Sequence, residues 1–238
     1  MTRVLLHIEL SFLIGVVTLA SGCNRGSSET PTQPQTTTTS STGPTQSYLR
    51  VAQLSEDTRF VDVAVNGEVR FRGLDYPMVS DYQTLAAGDY RLQFVSSGTL
   101  SPAFLDTTVS LAPGAAVTVA MAGFDSSQVL RTVEDRTVSS GRARVRLASV
   151  VPDFPGGLDL APLGGSVIAG PVGFLGSTGY AEVIPGLYDL ELRRNGVGEN
   201  VAVTYGRSLT AGGSFTAFAI GALRRDSIEI IVVSDARP

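Results

Sequence analysis

The sequence predicts an all-β protein, with two tandem immunoglobulin-like or transthyretin-like β-sandwich domains after a signal peptide and a disordered linker. Three observations predict this. Beyond residue 47, apolar and polar residues alternate with period two, as in strands that bury one face. Glycine and proline interrupt these runs at short intervals, and no window has the period of an amphipathic helix. The pattern also occurs twice, at an offset of about 98 residues.

The composition excludes several classes of function. The 238 residues include one His, one Cys and no Trp, with a net charge of −4, and all 18 basic residues are Arg. Because His7 lies in the segment expected to be removed, a Ser-His-Asp triad and a His- or Cys-ligated metal site are excluded. The absence of Lys excludes Schiff-base chemistry and a Walker-type phosphate lysine. The acidic balance argues against nucleic acid. We therefore expect no cofactor, no metal and no catalytic residue.

Residues 1–22 are predicted to be a lipoprotein signal peptide. The 11-residue apolar run Leu10–Ala20 is too short to span a membrane but has the length of a signal-peptide core. The run continues into Ser21-Gly22-Cys23, which resembles the lipobox of bacterial lipoproteins, whose cysteine is acylated and becomes the new N-terminus. We expect lipidated Cys23 to anchor the protein in the cell envelope, at the outer membrane or cell surface of a Gram-negative cell. A buried or unmodified thiol is the alternative.

Residues 23–46 are predicted to be a disordered tether rich in Ser, Thr and Pro. After Cys23 the segment contains no aliphatic or aromatic side chain, so it has nothing to bury in a core. Such a tether would hold the folded part away from the membrane.

The remaining chain is predicted to form one sandwich over residues 47–136 and a second over 141–236. Gly88–Leu92 corresponds to Gly186–Leu190, and Gly114–Thr118 corresponds to Gly212–Thr216. Nearer the start of each copy, Arg50 aligns with Arg144 at an offset of 94. Each copy is long enough to fold alone.

Two local signals support individual elements. Asn66-Gly67, between Val61–Val65 and Glu68–Phe71, predicts a hairpin with a type I′ turn, because both residues accept positive φ angles. Tyr90 and Tyr188 each follow a Gly-x pair at the start of a strand. We expect both rings to be buried and both hydroxyls to bond to nearby backbone.

These segments together resemble a bacterial surface family known as domain of unknown function 4397 (DUF4397). The resemblance covers both copies and rests on the following segments: Leu49–Val51, Phe60–Gly67 and Tyr82–Leu92 in the first copy, and Arg144–Arg146, Pro152-Asp153 and Tyr180–Tyr188 in the second. Where that family usually has a histidine, this chain has Gln53 in the first copy and Leu147 in the second. The resemblance implies a fold and a surface location rather than an activity.

The candidate binding residues lie in loops at one end of each copy: Glu56, Asp57, Asp153 and Phe174. The three carboxylates are candidates for ligand or Ca²⁺ contact, although the D-x-D-x-D-G pattern of a calcium loop is absent. Phe174 belongs to a glycine-rich connection, where it is either part of an exposed patch or part of the core of the second copy.

Two groups of arginines offer positive charge. Arg142, Arg144 and Arg146 alternate along one strand, and Arg224-Arg225 precedes the last strand. They would suit an anionic glycan or lipid headgroup. We favour the simpler interpretation, a solvated strand face that discourages edge pairing.

The leading functional prediction is a non-enzymatic envelope lipoprotein that acts by binding or structural support, with a surface glycan or an envelope protein as partner. One alternative is an assembly subunit that pairs an exposed strand edge, Ile228–Val233, with a protein partner. The other is a carboxylate-based hydrolase. Its candidate pairs are Glu56 with Asp57, Asp75 with Asp81, and Glu134 with Asp135.

Overall fold

The computed structural model describes residues 46–124, 129–135 and 141–237, which all belong to one compact unit, with the backbone alone described for 129–135. The predicted signal peptide, Cys23 and the tether up to residue 45 lie outside these residues. The all-β fold class is confirmed: the described chain forms 17 strands and one 3₁₀ turn at Leu223–Arg225. None of its described segments is a helix with the length and apolar character needed to cross a membrane.

Nine strands lie before residue 136 and eight lie after residue 142. The first nine are β1 (Gln46–Gln53), β2 (Val61–Val65), β3 (Glu68–Leu74), β4 (Met78–Val79), β5 (Gln83–Ala86), β6 (Gly88–Ser96), β7 (Ala103–Leu111), β8 (Ala116–Ala122) and β9 (Val129–Asp135). The others are β10 (Ala143–Ser149), β11 (Leu158–Pro162), β12 (Ala169–Val172), β13 (Ala181–Val183), β14 (Gly186–Arg194), β15 (Asn200–Leu209), β16 (Ser214–Ile220) and β17 (Glu229–Ser234).

These strands form four sheets. Sheet A has the order β4-β1-β8-β9, with β5 also paired to β1, and sheet B has the order β3-β2-β6-β7. Sheet C has the order β13-β10-β16-β17, and sheet D has the order β12-β11-β14-β15. The central pair is parallel in both sheet A and sheet C. Sheets A and B therefore have the same strand order as sheets C and D.

Three apolar clusters hold the sheets together. One lies between sheets A and B, which we call the first sandwich, and one lies between sheets C and D, the second sandwich. The third joins sheet A to sheet C and comprises Ala52, Leu54, Ala120, Ala122, Ala148, Val150, Phe218 and Ile220. The layers are therefore stacked in the order B, A, C, D.

The middle sheets consequently bury both faces, which corrects the expected alternation. A period-two pattern that buries Val117, Val119 and Met121 would place Thr118 and Ala120 toward water, but both are fully buried because sheet C covers this face of β8. The sequence of β8, Ala116–Ala122, contains no charged residue, as is usual for a strand buried on both sides.

The strand register also corrects the internal alignment. Arg50 pairs with Thr118 across β1 and β8, and Arg146 pairs with Thr216 across β10 and β16. Arg50 therefore corresponds to Arg146, and the alignment with Arg144 was wrong by two residues. The residue that corresponds to Gln53 is then Ser149, not Leu147.

The predicted hairpin turn and the predicted hydroxyl bonds of the two tyrosines are confirmed, whereas the two rings are less buried than expected. Asn66 and Gly67 connect β2 to β3 with φ angles of 51° and 84°, as a type I′ turn requires. The hydroxyl of Tyr90 donates to the carbonyl of Ala86 at 2.9 Å, and the hydroxyl of Tyr188 donates to the carbonyl of Ile184 at 2.7 Å. Both rings are half-buried against the cores of their sandwiches.

Candidate binding surfaces

A buried ion pair lies where the two sandwiches meet. Nη2 of Arg50 in the first sandwich donates to Oδ1 of Asp235, just after β17 in the second, at 2.5 Å. The side chains are 4% and 0% exposed. The other carboxylate oxygen accepts from the hydroxyls of Tyr180 at 2.7 Å and Thr216 at 2.8 Å. Asp235 thus binds side chains of both sandwiches at once.

Arg146 occupies the corresponding place in the second sandwich. Its Nε donates to Thr216, as Nε of Arg50 donates to Thr118. Its guanidinium stacks on Tyr180 at 4.6 Å, as that of Arg50 stacks on Tyr82. Arg146 is only 4% exposed. The interpretation of Arg142, Arg144 and Arg146 as a solvated face is therefore wrong for Arg146, because sheet C is covered by sheet A.

A cleft of about 490 Å³ opens beside this ion pair and is called the seam cleft. Its lining residues are Arg50, Ser80, Asp81, Tyr82, Ser234, Ala236 and Arg237. Arg50 also donates to the carbonyl of Ser234, and Arg237 donates to the carbonyl of Gly114 at 2.7 Å. The arginines of the seam cleft therefore serve contacts between the sandwiches.

Two predicted binding residues, Glu56 and Asp57, lie at another point where the sandwiches meet. They follow β1, and Arg225 of the 3₁₀ turn approaches Oε2 of Glu56 to 3.4 Å and Oδ2 of Asp57 to 3.8 Å. Gln53, at the family's histidine position, is buried and receives the N–H of Ser55 at 2.9 Å. This loop is therefore held both by its own strand and by the second sandwich.

The other two predicted residues also make internal contacts. The carboxylate of Asp153 accepts the N–H groups of Leu223 at 2.8 Å and Arg224 at 2.9 Å, which fixes the 3₁₀ turn. Arg224 in turn stacks on Phe124 at 3.5 Å. Phe174 is half-buried in the cluster between sheets A and C, apart from the three carboxylates.

A second cleft, of about 410 Å³, lies on the first sandwich and is called the Asp62 cleft. Its lining residues are Asp62, Val69, Arg72, Gly98, Thr99 and Leu100. Asp62 is 3% exposed, and its Oδ1 accepts the N–H of Gly73 at 2.7 Å and the hydroxyl of Ser97 at 2.9 Å. Oδ2 accepts the N–H of Gly98 at 3.0 Å.

These donors determine the charge of Asp62. Burial on its own raises the pKa of Asp62, but the N–H groups of Gly98 and Gly73 and the hydroxyl of Ser97 lower it. The charge of Arg72 lowers it further, so the pKa lies below its ordinary value of 3.8. Asp62 is therefore an ionised acceptor at neutral pH.

Among the carboxylate pairs of the hydrolase alternative, Glu56 and Asp57 both face Arg225, and Asp75 and Asp81 lie in different settings. Oδ1 of Asp75 accepts the N–H of Tyr76, whereas Asp81 lines the seam cleft. The side chains of Glu134 and Asp135 lie outside the described residues. Within the described residues, no group of three or more His, Cys, Asp or Glu side chains is placed to hold a metal ion.

Asp235 and Asp62 organise their surroundings without having been predicted to do so from the sequence. Asp235 is 185 positions from Arg50, and no local pattern links such distant residues. Asp62 did have a signal, because a charged residue between two valines recurs as Asp159 between two leucines.

Comparison with known proteins gives little functional information. No curated protein matches the chain. A family 26 carbohydrate-binding module of Eubacterium rectale Amy13K, solved with maltoheptaose, is 15% identical over 80% of this chain and 98% of its own, with a TM-score of 0.28. A leucine-rich repeat protein of Bacteroides thetaiotaomicron is 10% identical over 75% of this chain and 26% of its own, with a TM-score of 0.21.

The Bacillus anthracis TIE protein is 10% identical over 74% of this chain and 34% of its own, with a TM-score of 0.22. With TM-scores this low, none of the three likenesses bears on fold or function. The family comparison agrees with the resemblance seen in the sequence for the first copy and only the start of the second. Residues 47–161, from β1 into β11 and just under half of the chain, match the family described as Domain of unknown function (DUF4397).

Proposed function

We propose that this protein is a non-enzymatic cell-envelope lipoprotein. Lipidated Cys23 holds it at the membrane, the tether of residues 23–46 extends from the surface, and the two sandwiches act by binding or by structural support. The observation that carries the anchoring is the lipobox-like Ser21-Gly22-Cys23 after an apolar run. The buried ion pair of Arg50 with Asp235, which joins the sandwiches, supports the structural role. The outer surfaces of sheets B and D are then the parts presented to other molecules.

The contacts that the carboxylates make within the protein support a binding role over a hydrolytic one. A carboxylate-based glycoside hydrolase needs two carboxylates that face one another across a substrate cleft. Here Glu56 and Asp57 face Arg225, Asp153 binds backbone N–H groups, and Asp235 binds Arg50. These carboxylates contribute to the packing of the sandwiches.

Membrane anchoring is tested by fractionating cells that express the full chain or Cys23→Ser. We expect the native chain in the membrane fraction and the variant in the soluble fraction, because the acyl chains supply the membrane affinity. Ser21→Thr, which leaves the cysteine in place, is the matched control. Membrane retention of Cys23→Ser would exclude the lipid anchor.

A second candidate function, strand pairing with an envelope protein, is favoured by the position of β17. This strand, which contains most of Ile228–Val233, ends the order of sheet C among the described strands. An exposed edge strand is a template for pairing with another chain. Substitution of Val232 by Pro would abolish co-purification with such a partner, whereas the binding role proposed above predicts no change.

A further inference from the structure

Phe60, two residues before Asp62 in the chain, is strained and exposed. Phe60 has a φ of 47° and is 55% exposed. A positive φ is costly for a bulky side chain and is normally left to glycine, asparagine or aspartate. Burial of Phe60 in the described core does not offset this strain, because more than half of the residue remains in contact with solvent.

In the second sandwich, the position that corresponds to Phe60 also has a positive φ, but it is occupied by glycine. The residue before β11 is Gly157, with a φ of 84°, as Phe60 is the residue before β2. The N–H of Ser97 donates to the carbonyl of Phe60, and the N–H of Asn195 donates to the carbonyl of Gly157. The two positions are thus equivalent, and only the first carries an aromatic ring.

The surroundings of these positions also differ. In the second sandwich, Gly170 lies directly against Asp159, so that a Cβ at Gly170 would be 2.4 Å from Oδ1 of Asp159. In the first sandwich, the equivalent carboxylate of Asp62 lines an open cleft of about 410 Å³. Gly98, which follows the residue bonded to Phe60, lines the same cleft. The exposed ring and the open cleft therefore occur together, in the first sandwich.

We propose that Phe60 and the Asp62 cleft form a binding site for a neutral sugar residue of a glycan. Phe60 offers a ring face for the apolar C–H face of the sugar. A carboxylate has about four acceptor positions, of which three on Asp62 are used, leaving one on Oδ2 for a sugar hydroxyl. Arg72 adds donors, and the hydroxyl of Thr99, which donates its proton to the carbonyl of Ser96, adds an acceptor. The opposite charges of Asp62 and Arg72 match a neutral ligand rather than an acidic one.

The cleft also has a suitable size. Its volume of about 410 Å³ lies within the range of roughly 300–1,000 Å³ that is usual for small-molecule sites. Leu100, which is 62% exposed, adds apolar surface to the lining. This inference deepens the proposed function by naming a class of ligand for its binding role.

The test measures saturation-transfer NMR between the compact unit, residues 41–238, and four neutral trisaccharides: chitotriose, cellotriose, maltotriose and mannotriose. We expect transfer to at least one of them. Phe60→Gly and Phe60→Asn should each weaken that binding at least tenfold, since both remove the ring and both tolerate a positive φ. Tyr205→Asn, which removes a ring that is 65% exposed on the second sandwich, should leave binding unchanged.

Thermal unfolding gives an independent readout. Phe60→Gly should raise the unfolding midpoint by about 2–4 °C, because it relieves backbone strain. A residue kept for stability would instead lower the midpoint when replaced. Loss of binding together with a gain in stability is the expected signature of a ligand contact.

Three results would overturn the proposal. They are no transfer to any of the four trisaccharides, equal binding by native chain and Phe60 variants, or binding of trigalacturonate alone. Phe60-dependent binding to phosphatidylglycerol vesicles in place of sugar would also overturn it, in favour of a lipid surface. Because these measurements use the soluble unit, their failure leaves the Cys23 fractionation result unaffected, and failure of anchoring leaves the sugar site unaffected.

Discussion

Asp235 accepts hydrogen bonds from three side chains, those of Arg50, Tyr180 and Thr216, although no local sequence motif marks it. Replacing it with Ala leaves the Arg50 guanidinium buried without its carboxylate and removes the acceptor of Tyr180 and Thr216. We expect Asp235→Ala to lower the free energy of unfolding by about 3–5 kcal/mol, because a buried charge left unpaired is costly. Urea denaturation of residues 41–238 measures this.

The matched control is an exposed ion pair. Arg70 and Glu68 lie 2.9 Å apart with side chains 45% and 69% exposed. Glu68→Ala should change stability by no more than about 1 kcal/mol, since solvent screens the pair. Equal effects of Glu68→Ala and Asp235→Ala would show that burial of the Arg50–Asp235 pair adds nothing to its contribution to stability.

Asp62 makes stability depend on pH. Its folded pKa lies below the ordinary value of 3.8, so its contribution is present at neutral pH and is lost as pH falls through the folded pKa. Asp62→Asn should therefore be less stable than the native chain at pH 7, and the difference should shrink steadily in acid. Unfolding free energies measured across the acid range test this, with Asp81→Asn as a control of equal charge. A difference that grows in acid would contradict the assignment.

At the scale of elements, the β2–β3 hairpin depends on Gly67. Its φ is 84°, and a Cβ added there would meet no atom within 4 Å, so backbone strain alone sets the cost of a substitution. We expect Gly67→Ala to lower the free energy of unfolding by about 1–2 kcal/mol. Gly141→Ala is the control, since Gly141 also has open space but no positive φ, and should change stability by less than about 0.5 kcal/mol. A cost at both glycines would indicate crowding instead.

The hairpin and the two tyrosines were predictable because their chemistry is local. Asn66-Gly67 specifies its own turn, and the hydroxyls of Tyr90 and Tyr188 each reach a carbonyl four residues earlier. β10 was not predictable in the same way. Its alternating arginines look like a solvated face, and only the packing of sheet A on sheet C buries Arg146.

For the candidate surfaces too, the local features were predictable from the sequence and the long-range contacts were not. Glu56, Asp57 and Asp153 were placed correctly in loops after β1 and β10, since each follows an apolar run. Their contacts with Arg225 and the 3₁₀ turn join residues about 70 or more positions apart, which the period of a strand does not encode. The sequence gives no sign of the positive φ at Phe60, and the comparison with Gly157 shows that glycine occupies the equivalent position in the second sandwich.

For the whole molecule, the question is what fixes one sandwich relative to the other. Five of the eight residues in the cluster between sheets A and C are alanine or valine, short side chains that give adhesion with little directional preference. The ion pair and hydrogen bonds of Asp235 are directional. We infer that the apolar cluster supplies adhesion, and that Asp235 and Arg237 select the orientation.

Shortening the chain separates these two contributions. A chain ending at Ser234 lacks both Asp235 and the bond from Arg237 to Gly114, whereas one ending at Asp235 keeps the ion pair. We expect the first to unfold calorimetrically in two steps with an enlarged radius of gyration by X-ray scattering, because the sandwiches lose their fixed orientation. The second should keep the single transition at a cost of about 1 kcal/mol. One transition in both chains would mean that the alanine-rich cluster orients the sandwiches unaided, and the buried charge would then need another explanation.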